Sequence, residues 1–276
     1  MLDVHPPHNP THTWKDFFIH IATICVGLLI AICLEQTVEF FHHRQQQATL
    51  EQELRVESLR NLTIALDNIQ TMDDSLDALT AQYGEWQQAA QQGRKLPSLD
   101  RSIDASANRS VRAAVSVWTI AQQNGTSELL PHAEAQRYVR VYSVAQMVSV
   151  GIDKDNTAFQ AYLSASAPAV LDASTLPFGK KAQQRFDLSR LDPEQLRVYG
   201  QSLATLIGEQ NQFILDNLFL YGVEWASWRE IKSDTEILRI IFEARDAYAH
   251  GGQAALLAKF PPPVEATQHK DSGEEN

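Results

Sequence analysis

Glu39-Phe40-Phe41-His42 sets a carboxylate and an imidazole three residues apart, on one face of a helix. Carboxylate-bridged di-iron bundles hold metal with that spacing, but they need a second Glu-x-x-His and two further glutamates on other helices. The chain has no second copy, so the pair reads as a polar rim. His5, His8 and His12 crowd the N-terminal tail, and His42 and His43 follow the apolar run. Imidazoles can bind zinc or copper, yet Pro6, Pro7 and Pro10 fix no geometry and no cysteine or acid completes the set. Gly200-Gln201-Ser202-Leu203-Ala204 loosely imitates a nucleophile elbow, but it lacks the final glycine and sits within a helical pattern. Phosphate-binding glycine loops, dinucleotide fingerprints and paired-cysteine zinc motifs are absent. No catalytic, cofactor-binding or metal-ligating residue is therefore assigned, and an enzyme is the least supported class.

The densest aromatic group is Phe213, Tyr221, Trp225 and Trp228. At helical spacing these rings suit either a core or a pocket between helices.

The composition narrows the partners. A formal net charge of -11 and the lack of a dense Lys/Arg stripe exclude a nucleic-acid partner. The nearest basic cluster, Lys180 and Lys181 with Arg185 and Arg190, reads as a solvated loop. Only 12 glycines and 11 prolines in 276 residues favour long helices. Both cysteines, Cys25 and Cys33, fall in one apolar run, so cysteine usage does not identify the compartment of the remainder.

That run extends from Phe17 to Leu34 without Asp, Glu, Lys or Arg. As a helix it is about 27 Å long, close to a hydrocarbon core of about 30 Å. Trp14, Phe17 and Phe18 stand at one end and Phe40 and Phe41 at the other, where interfacial aromatic belts belong. A cleaved signal would have a basic start, a shorter apolar run and a small-x-small site, and bulky Ile32 spoils the lipoprotein-like Ile30-Ala31-Ile32-Cys33. The lipid bilayer is thus the first expected partner. Lys15 and Arg44 nearly balance across the span, and the large following domain favours an N-terminus inside, with the bulk periplasmic. Thr23, Gly27 and Ala31 share one face with His20 and Glu35, and their small side chains would suit self-association of two helices.

The stretches "DVHPPH" and "HTWKDFFIHIATICVGLLIAICLEQTVEFFHHR" resemble the N-terminus of uncharacterised bacterial single-span membrane proteins. The resemblance covers about the first 45 residues. It implies an envelope protein of bacterial origin and brings no activity with it; with the orientation read from the flanking charges, the expected location is the inner membrane.

Beyond the span, Leu59, Leu62, Leu66, Ile69, Met72, Leu76, Leu79, Tyr83 and Trp86 recur at steps of three and four, a coiled-coil-like seam. Gly93 and Pro97 end it. Helical patterns follow at about 107–123 and from Pro131 to Ser166-Ala167-Pro168, then a loop to about 191. "DPEQ" at 192–195 and "SDTE" at 233–236 are capping boxes opening two more helices, the last ending at Gly251-Gly252. Strand signals do not recur at regular spacing. The expected fold is all-α: a transmembrane helix continuing into a stalk and an antiparallel helical bundle. The boundaries are a flexible tail at 1–13, the span with its interfacial ends at 14–41, stalk and bundle at 42–260, and a disordered tail at 261–276. The expected function is a non-enzymatic envelope scaffold or interaction module, with a protein partner or copies of itself. The alternative is a periplasmic ligand-sensing domain that signals through a partner.

Overall fold

The computed structural model describes residues 14–92, 98–102, 110–172 and 183–263. The tail at 1–13, Gly93, Pro97, Lys180, Lys181 and the residues from 264 onward lie outside the described residues. The fold is all-α. Five helices account for most of it: α1 (Trp14–Gln92), α2 (Ser116–Gln123), α3 (His132–Ser166), α4 (Pro193–Trp228) and α5 (Asp234–Lys259). Contacts divide the chain into two units, 1–50 and 51–276.

In the first unit, one helix is long and apolar enough to cross a membrane, and its apolar window is entirely uncovered. Hydroxyls that would be stranded there bond locally: Thr23 Oγ1 donates to the Ile19 carbonyl at 2.9 Å and Thr37 Oγ1 to that of Cys33 at 2.6 Å.

In the second unit, residues 51–92 of α1 pack with α3, α4 and α5. Hydrogen bonds fix the directions. Glu57 and Gln82 of α1 meet Tyr142 and Tyr162 of α3, so these two helices run parallel. Asn61 and Asn68 meet Glu224 and Asn217, so α4 runs antiparallel to α1. Two glycines let helices close up. A Cβ on Gly200 would overlap the Trp86 ring, and one on Gly151 would lie 2.9 Å from Phe213. The lower core gathers Tyr162, Tyr199, Leu203 and Leu206, with Leu79, Tyr83 and Trp86 packed against it.

Caps set the later helix starts. Asp192 accepts from the Gln195 amide at 2.8 Å, Gln195 Oε1 accepts from the Asp192 amide at 3.0 Å, and Pro193 fills the first turn. Ser233 accepts from the Glu236 amide at 3.5 Å.

Three expectations are corrected. The helix expected at about 107–123 begins only at Ser116, because the backbone at 110–114 bonds to side chains of α1 instead of to itself. The region expected to be a loop up to 191 carries strands β2 (Val170–Asp172) and β3 (Gln183–Asp187). With β1 (Ser98–Ser102), these form an antiparallel sheet of order β1-β3-β2. At Gly251-Gly252 the helix breaks as expected but does not end. Gly252 takes a φ of 62°, the chain turns, and the helix resumes to Lys259. This return carries Phe260 and Pro261 onto Tyr221 and Trp225: the Tyr221 hydroxyl donates to the Phe260 carbonyl at 2.5 Å and Trp225 Nε1 to that of Pro261 at 3.1 Å.

Candidate functional site: a polar ladder within the helical fold

The apolar seam of α1 is interrupted every seven residues by Asn61, Asn68, Ser75 and Gln82. On antiparallel α4 the same step gives Glu224, Asn217 and Gln210. A seven-residue step returns to nearly the same helical face, so polar groups meet at successive levels of the α1–α4 contact.

At the first level, Glu224 is fully buried. Its Oε1 accepts from Asn61 Nδ2 at 2.9 Å and its Oε2 from the Ser58 hydroxyl. Burial pushes the Glu224 carboxyl up to about 8, the neighbouring Glu57 adds to the rise, and the bonds from Ser58 and Asn61 oppose it. Glu57, also buried, accepts four donors. Its Oε1 takes the Ser116 amide and hydroxyl, both at 2.9 Å, and the Val117 amide at 3.2 Å; its Oε2 takes the Tyr142 hydroxyl. Glu57 thereby satisfies the open N-terminus of α2, which has no side-chain cap of its own. The Tyr142 hydroxyl is held protonated by burial and by that bond.

The two asparagines also act as backbone clamps. Asn61 accepts from the Ala114 amide at 2.7 Å and donates to its carbonyl at 3.0 Å. Asn68 does the same to Val111, at 2.8 and 3.0 Å. At the second level, Asn68 Nδ2 also reaches Asn217 Oδ1 at 3.0 Å, and Asn217 Nδ2 donates to the Phe213 carbonyl at 2.8 Å. The lowest level is Gln82, bonded to the hydroxyls of Tyr162, at 2.9 Å, and Tyr199.

The third level differs. Gln210 is buried and faces buried Asp155 of α3, while Asp155 Oδ1 and Gln210 Oε1 both lack a partner. Burial raises the Asp155 carboxyl to about 6, the Gln210 side chain lowers it and Glu209 raises it.

The residues singled out by sequence fall as follows. Leu59, Leu62, Ile69 and Met72 are buried and Leu66, Leu76, Leu79, Tyr83 and Trp86 half-buried, so the seam turns into the chain's own fold. The aromatic residues do not converge. Phe213 lies against Gly151, Tyr221 and Trp225 lie under Phe260 and Pro261, and Trp228 meets Arg55 and Arg229, whose guanidinium carbons lie 5.9 and 4.9 Å from its ring. Phe213 and Tyr221 are core; Trp225 and Trp228 are half-buried. Thr23, Gly27 and Ala31 are exposed, with open space above Gly27. Glu39 lies 4.0 Å from His43, whereas His42 pairs with Gln46 at 3.0 Å. Gly200–Ala204 lies inside α4, under Trp86 at its first residue. Among the described residues, no three His, Cys, Asp or Glu side chains are grouped to hold a metal ion.

Sequence reasoning missed the ladder, although its signal was available in the seven-residue recurrence of Asn61, Asn68, Ser75 and Gln82. Comparison with protein-family models, curated proteins and solved structures finds no match.

Proposed function

We propose that this chain is a single-pass bacterial envelope protein, anchored in the inner membrane by residues 14–41 with its bulk periplasmic, that acts as a non-enzymatic interaction module. The observation that carries this reading is how the interior polar groups are spent. Glu57, Asn61, Asn68, Asn217 and Glu224 bond to one another and to backbone, leaving their lone pairs and protons in structural use. Such an interior holds helices in register and leaves function to the surface.

A partner cannot sit on the seam from Leu59 to Trp86 without opening the fold, so it must use an outer face. The outer face of α5 is the best suited. Leu238 and Phe242 stand one turn apart there, 49% and 63% exposed, an apolar pair of the kind that anchors helix-mediated contacts.

A photo-crosslinking amino acid at Phe242, in the full chain expressed in cells, tests this. The expected result is one discrete adduct that disappears when Leu238 is replaced by Asp. A diffuse or absent product would argue against an interaction surface on α5.

A further inference from the structure

We infer that the Asp155–Gln210 level of the ladder is a proton-binding site: a proton taken from solvent by the Asp155 carboxylate closes an O–H···O bond to Gln210 Oε1 and latches α3 to α4. This goes beyond the interaction reading and does not depend on it.

The argument starts from an imbalance of donors and acceptors. Asn61–Glu224, Asn68–Asn217 and Gln82 with its tyrosines each set a donor against an acceptor. At the third level the Gln210 amide donates to the Asp155 carboxylate, yet Asp155 Oδ1 and Gln210 Oε1, on residues 1% and 2% exposed, are both left without a donor. Leaving such groups unsatisfied in a dry interior is costly, and an ionised carboxylate is the costliest. A neutral carboxyl removes both penalties, since protonated Asp155 becomes the donor that Gln210 Oε1 lacks.

The surrounding charges agree with this choice. From α4, Glu209 repels the ionised form, and Asp216 is bonded by Gln212 at 2.8 Å. From α3, Lys154 acts on Asp216 and Asp153 is paired with Arg112 at 2.5 Å. On α1, Asp74 is bonded to Gln70 at 2.9 Å, while Asp73 and Asp77 act on Tyr248. None of these supplies a cation to Asp155. The level lies one turn from Gly151, where α3 comes so close to Phe213 that a Cβ would not fit. A bond made here therefore tightens a contact with little slack.

The test is carbon-13 NMR of the full chain in detergent micelles, labelled at the aspartate carboxyl carbons, from pH 4 to 8. Asp155→Asn assigns the signal, and Asp155→Ser assigns it should that variant fail to fold. The signal is expected to titrate near pH 6, and the melting temperature of the wild type to rise by several degrees from pH 7 to 5. Glu224 contributes to the same rise, so a folded Asp155→Asn variant, with an amide donor permanently in place, should show a smaller rise than the wild type, whereas the Asp155 part should persist in Glu224→Gln. An Asp155 signal that stays ionised through pH 5 would overturn the inference, because a water or a cation would then be supplying the missing donor.

Discussion

Glu57 and Glu224 are two carboxyl side chains of one interior cluster, and their surroundings give them opposite requirements. Glu57 accepts four donors, among them the first amides of α2, so an amide in its place would turn an N–H toward donors. Among the described residues, Glu224 accepts from the Ser58 hydroxyl and the Asn61 amide, and its carboxyl is held up at about 8 by burial. Glu57→Gln should therefore cost about 3 kcal/mol at pH 7, from unsatisfied buried donors and the lost cap. Glu224→Gln, close in shape to the protonated acid, should cost under about 1 kcal/mol. The pH dependence follows from the raised value. The stability that protonated Glu224 contributes is fully present below the ordinary carboxylate range and is lost as pH rises through about 8. Urea unfolding in micelles should show the wild type weakening from pH 7 to 9, and Glu224→Gln should lack that component.

Between the helices, the asparagine clamps explain why residues 110–114 are not helical although their sequence has a helical pattern. A backbone whose amides and carbonyls are bonded by Asn61 and Asn68 gains nothing from a helix of its own. Asn61→Ala and Asn68→Ala should each speed hydrogen exchange at Ala114 and Val111 respectively by at least about tenfold, the equivalent of about 1.4 kcal/mol, while α3 amides stay protected. Equal protection in variant and wild type would mean that the segment is held by other contacts. This part of the fold illustrates what a linear reading can reach. The start of α4 is legible because Asp192, Pro193 and Gln195 carry their whole capping mechanism within four residues. The α3 boundaries at Pro131 and Ser166 are legible from the prolines that punctuate them, Pro131 and Pro168, although no side chain caps the helix start. The start of α2 is not, since its cap comes from Glu57, 59 residues away from Ser116. The return beyond Gly252 is also hidden, because the partners of Phe260 and Pro261 lie on α4. The apolar seam was readable as a stripe, but whether it faces another chain or this one depends on α3 and α4 packing against it.

Taken as one molecule, the chain combines two opposite surfaces in a single continuous helix. Residues 14–44 of α1 are exposed wherever their burial is described, while from Leu54 to Met72 the same helix is lined with buried leucine, isoleucine and asparagine. Water tolerates the second arrangement and penalises the first, at about 25 cal/mol for each Å² of apolar surface left wet. A bilayer removes that penalty and needs a span of this length. The most direct measurement is alkaline carbonate extraction of membranes from cells producing the full chain beside a variant in which Leu28 and Leu29 are both replaced by Arg. The wild type should stay in the membrane pellet, and the variant, carrying two charges at the bilayer centre, should move to the supernatant. Release of the wild-type chain by carbonate would contradict a membrane-spanning helix and remove the anchor from the account.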